Sequence, residues 1–161
     1  MKKLIFLITT LFLFSSCGKQ EERLKARIDS LEQKIVNNYK PGFGEFMSNI
    51  QVHHAKLWFA GLNQNWELAD FEVQEIKETL EAIKKHQQER KESQMVVMIN
   101  PVLDSIDMSI KKKDVKLFTA GFNSLTNTCN NCHRLVNYGF NDVKIPDSPP
   151  FSNQIFKKEN K

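Results

Sequence analysis

Between residues 44 and 137, apolar side chains return at alternating steps of three and four. That spacing constrains the fold more than any other feature, because it lays side chains along one face of an α-helix. It predicts four amphipathic helices. The first, about 44–61, sets Phe46, Ile50, His53, Leu57 and Ala60 on one face, with Met47, His54, Trp58 and Gly61 on its flank. The second, 66 to about 90, carries Trp66, Ala69, Val73, Ile76, Leu80 and Ile83, with Asn65 as N-cap and Glu67 in the first turn. Residues 91–94 read as a polar connector. The third helix has Asn100 as N-cap and Pro101 at its first position, then Leu103, Ile106 and Ile110. The fourth starts at the cap Asp114 and runs to about 137, with the seam Phe118, Phe122, Leu125, Cys129, Cys132 and Val136 and a stop supplied by Gly139 and Pro146. No convincing period-two alternation and no hairpin signal accompany these stripes. Four such helices with short connections point to an all-α, antiparallel four-helix bundle.

At 161 residues and 40% hydrophobic, the chain can build one core and not two comfortable domains. Six Gly, five Pro and three Cys exclude collagen-like and disulfide-dense classes. The net charge of +4 includes Lys2 and Lys3 and is too small to imply nucleic-acid binding.

Met1-Lys2-Lys3 is a basic start, and residues 4–14 form an apolar run too short to cross a bilayer. Ser15-Ser16-Cys17-Gly18 follows and resembles the lipobox of bacterial lipoproteins, although Phe14 stands where Leu is usual. The resemblance implies removal of a signal peptide, 1–16, and lipidation of Cys17, so that an exported chain is anchored to a membrane on the periplasmic side or the outer-membrane surface. Lys19-Gln20-Glu21-Glu22 loosely resembles a surface-export signal. Residues 18–22 read as a polar tether within an anchor-and-helix segment, 17–42. Leu24, Ile28, Leu31 and Ile35 then form a short heptad seam on a charged helix, 21–38, suited to a dimerising stalk or to lying on the bundle. The haem-domain expectation spans 43–140. The tail, 141–161, with Pro146, Pro149 and Pro150, reads as extended.

The haem expectation comes from Cys129-Asn130-Asn131-Cys132-His133, the C-x-x-C-H pattern of c-type haem attachment. Two Cys three residues apart stand on one face of a helical turn, where each sulfur can form a thioether to a haem vinyl group. The adjacent His133 then offers its imidazole to the iron as proximal ligand. A thioredoxin-like dithiol would need a βαβ context, and a zinc site would need a fourth ligand that the sequence does not supply nearby. Both Cys lie on the apolar seam, so one covalent haem c would be covered by the other helices.

A helical chain whose last helix carries this pattern resembles the cytochrome c-prime class. That resemblance implies a four-helix bundle with covalent haem over about 43–137. The run from His54 to Gly61 and the stretch Asn65-Trp66-Glu67-Leu68-Ala69 resemble other c-type cytochromes of this pattern. The class usually places a basic residue four after the proximal His. Here that position is Asn137, and Arg134 directly follows His133.

In such a bundle the end of the last helix neighbours the first half of the first. Met47, Ile50, His53 and His54 are then the candidates for the other side of the iron, with His54 the foremost possible distal ligand at about 16 Å along the helix from Phe43. His86 reads as solvent-facing, Trp58 and Trp66 as core, and Lys111 to Lys113 as a solvated helix end. The expected function is single-electron transfer with redox partner proteins, by a carrier and not a turnover enzyme. The alternative is a five-coordinate haem protein that binds NO or CO.

Overall fold

The computed structural model describes residues 2–38 and 41–158, the side chains of 2–17, 36 and 37 excepted. The chain divides into two compact units at Lys40. Among the described residues every regular element is helical, so the chain is all-α.

The first unit is one helix, α1 (Lys2–Asn38). Residues 18–22, expected as a polar tether, are helical. No proline interrupts them, and a lone Gly18 costs only about 1 kcal/mol in a helix. The side chain of Cys17 lies outside the described residues. Leu24, Ile28, Leu31 and Ile35 are all exposed. Among the described residues no helix is long and apolar enough to cross a membrane.

The second unit contains α2 (Phe43–Leu62), α3 (Trp66–His86), α4 (Lys91–Met95), a 3-10 turn (Val96–Ile99), α5 (Asn100–Lys111) and α6 (Val115–Leu135). α2 packs on α3, α3 on α5, α5 on α6, and α6 on α2. The core between them is the four stripes: Leu57 and Ala60, Val73, Ile76, Leu80 and Ile83, Leu103 and Ile106, Phe118, Phe122 and Leu125 are essentially inaccessible. Trp58 stacks on Phe118 and lies against Phe122, and Trp66 meets Phe118 edge-on.

Several helix ends differ from expectation. α3 stops at His86 and not near Arg90, and His86 is half-buried. Residues 91–94 belong to α4, whose Ser93 is buried, so they are more than a polar connector. Asn100 lies inside α5 and Ile99 precedes it without a side-chain cap, because the 3-10 turn already delivers the chain in helical geometry. α6 ends at Leu135 and not at Asn137.

Three helix ends share one device. Gln64, Lys113 and Asn137 take left-handed backbone angles just past α2, α5 and α6. At each, paired amide bonds close the last turn: Gln64 to Gly61 and Asn65 to Ala60, Lys113 to Ile110 and Asp114 to Ser109, Asn137 to Arg134 and Tyr138 to His133. At the first two, the closing residue also caps the next helix. Asn65 Oδ1 accepts from Leu68 N, and Asp114 Oδ1 from Lys116 N and Leu117 N.

Residues 141–158 carry no regular structure and fold back on the helices. Phe156 is buried against Phe59, with ring centroids 5.7 Å apart. Lys158 pairs with Glu67 at 2.9 Å.

Candidate functional site

A cavity of about 410 Å³ opens where the start of α2, the 3-10 turn, the end of α6 and the tail meet. α2 contributes Phe43, Met47, Ile50 and His54, and the 3-10 turn contributes Val96 and Ile99. Cys129, Cys132 and His133 reach it from α6, because i, i+3 and i+4 share a face. Tyr138, Asn141 and Val143 close the tail side. An Arg90–Glu92 ion pair at 2.9 Å stands at the rim, with the Arg90 guanidinium over the Phe43 ring.

Neither Cys129 nor Cys132 forms a disulfide. Burial, and secondarily the neighbouring Cys132, pushes the Cys129 thiol up to about 12, and burial also raises Cys132. Both are therefore protonated at neutral pH.

His133 Nδ1 lies 2.6 Å from the Asn141 carbonyl oxygen. A carbonyl can only accept, so Nδ1 carries a proton, which leaves Nε2 as the ring nitrogen able to bind metal. The tail that supplies this carbonyl is itself held from inside the motif. Asn130 Nδ2 donates to the Val143 carbonyl at 2.7 Å, and Asn130 Oδ1 accepts from Val143 N at 2.8 Å. The exposed Arg134 meets Asn131 at 2.5 Å and Asp142 at 3.8 Å.

His54 is buried, with its ring against Phe122 at 4.4 Å. Its Nε2 lies 2.9 Å from Thr126 Oγ1, whose own hydroxyl donates to the Phe122 carbonyl at 3.1 Å. With that hydroxyl proton committed, His54 Nε2 must be the donor. Burial lowers its pKa to about 4, so the ring is neutral at pH 7.

His53 turns away from the cavity. Its Nδ1 meets Glu72 Oε2 at 2.6 Å. Lys56 Nζ lies 2.8 Å from Glu72 Oε1, close enough for an ion pair though not aligned as a hydrogen bond. Glu72 is wholly inaccessible, and His53 and Lys56 make its burial tolerable.

Sequence reasoning named four cavity residues that come together here: Cys129, Cys132, His133 and His54, with Met47 and Ile50 beside them. It missed Glu72, Thr126, Asn130 and Asn141. Two of these left a signal. Glu72 falls between Ala69 and Ile76 at stripe spacing, and Thr126 between Phe122 and Cys129, so each is a polar residue on an apolar seam.

The residues present fit a covalent haem. Two free sulfurs and an imidazole whose Nε2 is the nitrogen able to bind metal face one largely apolar cavity, whose volume is within the roughly 300–1,000 Å³ of ligand sites. Among the described residues no three His, Cys, Asp or Glu side chains converge as a set able to hold a metal ion. A porphyrin brings its own nitrogens and asks the chain only for axial ligands. Comparison with protein-family models, curated proteins and solved structures gave no match to this chain.

Proposed function

We propose that this chain is an extracytoplasmic monohaem c-type cytochrome, anchored through lipid on Cys17, that transfers single electrons. Its haem domain is read as an antiparallel four-helix bundle of α2, α3, α5 and α6, similar to the cytochrome c-prime class. The observation that carries the proposal is the convergence of Cys129, Cys132 and His133 on one cavity, with His133 Nδ1 already occupied by Asn141.

Haem, when bound, supplies an iron that gains and loses one electron. Cys129 and Cys132 would hold it by thioethers, and His133 Nε2 would hold the iron. Asn141 orients that imidazole and makes it a better donor to metal. Ile50, Val96 and Ile99 give the cavity an apolar wall that would lower the local dielectric around the group and so tune its potential.

One observation favours a five-coordinate site that binds NO or CO instead: His54 Nε2 is engaged by Thr126. Mass spectrometry of the full, exported chain tests the core proposal. The expected product carries one covalent haem besides lipid, and Cys129→Ser with Cys132→Ser loses it. A product with lipid alone would overturn the haem assignment. Absorption spectra then separate the two functions. A low-spin iron that becomes high-spin in His54→Ala supports electron transfer with His54 as ligand. A high-spin ferrous form that takes up CO directly, in the unaltered chain, supports gas binding.

A further inference from the structure

α1 presents an exposed apolar stripe. Leu24 is 55% exposed, Ile28 49%, Leu31 49% and Ile35 69%. In heptad terms Ile28 and Ile35 occupy a, and Leu24 and Leu31 occupy d. β-Branched residues at a with Leu at d favour two parallel strands over higher-order assemblies.

We infer that α1 pairs with α1 of a second copy of this chain as a parallel two-stranded coiled coil. The charges beside the seam choose the orientation. Arg27 occupies g and Glu32 the following e, so in a parallel pair Arg27 of each copy faces Glu32 of the other. An antiparallel pair would match Lys25 with Glu32 but set Arg27 against Lys34. Four apolar layers make a short seam, and an isolated peptide of this length is a marginal helix. A shared surface changes the balance: if both copies are anchored near Cys17, their α1 helices start from the same plane, parallel and at high effective concentration. The pairing itself does not rest on haem.

Cysteine cross-linking in bacterial membranes, on the full chain, tests it. Ile28→Cys is expected to give a disulfide-linked dimer well above the level seen with the unsubstituted chain, because a-position residues meet their own copies only in a parallel pair. Gln33→Cys, at the outward f position, is expected to give none above that level. Adding Arg27→Glu to Ile28→Cys should reduce the dimer several-fold, and adding Glu32→Arg as well should restore it. No Ile28→Cys dimer above the unsubstituted chain, equal cross-linking at Gln33→Cys, or failure of the double swap to restore the dimer would each overturn the inference. So would cross-linking of Ile28→Cys to a co-expressed Leu31→Cys chain in place of self-linking, since that is the antiparallel pattern.

Discussion

His54 shows what burial does to a base that is given a hydroxyl for a partner and no counter-charge. The folded protein holds it neutral, with a pKa near 4 against an ordinary 6.5. Below pH 6.5 the unfolded chain takes up a proton that the folded chain refuses, so stability falls as pH falls, until the folded ring itself titrates near pH 4. The difference amounts to about 3 kcal/mol over that window. Urea unfolding of the haem-free chain from neutral pH to about pH 4 should register this loss, and His54→Leu should remove most of it, because Thr126 keeps its bond to the Phe122 carbonyl. An unchanged pH slope in His54→Leu would place the acid sensitivity elsewhere. The sequence put His54 beside the last helix, but its role turns on Thr126, one polar position in an otherwise apolar seam.

At the scale of helices, α2 meets α6 tightly at Gly61. A methyl group at Gly61 would run into the ring of Phe118, which is itself packed among Trp58, Trp66 and Phe122. Gly61→Ala is therefore expected to destabilise the protein by about 1–3 kcal/mol through overpacking, although alanine is the better helix former. Thermal unfolding of the variant checks it, and a rise in the melting temperature would contradict the packing. Helix bodies were legible because burial follows the three-four stripe: Phe118, Phe122 and Leu125 had to share a face. Helix ends were less so. The usual marker of a closing turn is Gly in the left-handed region, and here Gln64, Lys113 and Asn137 take that conformation. Paired amide bonds hold them there, and those bonds cannot be seen before the chain has turned. The same reason explains why Gly139 and Pro146 seemed to end α6.

Across the whole molecule, the tail is tied to the candidate site through a residue that the C-x-x-C-H pattern leaves unspecified. Asn130 grips the Val143 backbone with both ends of its amide, and two residues earlier the same strap offers the Asn141 carbonyl to His133. Asn130→Ala should cost about 1–3 kcal/mol for two lost hydrogen bonds. Hydrogen exchange should show the Val143 amide and the His133 Nδ1 proton losing protection together. Asn130→Asp, which keeps the acceptor, should preserve protection at Val143 N–H. Independent behaviour of the two protons would separate the strap from the histidine. The sequence carried the sulfurs and the imidazole of the site, since their spacing alone sets them on one helix face. It could not carry the strap, because a link spanning thirteen residues depends on where an irregular segment comes to rest.

The sunken thiols bear on timing. In the finished fold burial keeps the Cys129 and Cys132 sulfurs protonated, which makes them poor nucleophiles. On the proposed assignment, stitching must then precede collapse, while the newly secreted polypeptide is still open and its sulfurs are wet. On that assignment, a molecule that folds ahead of its prosthetic group would take it up slowly, and the yield of mature protein would become a race between two rates.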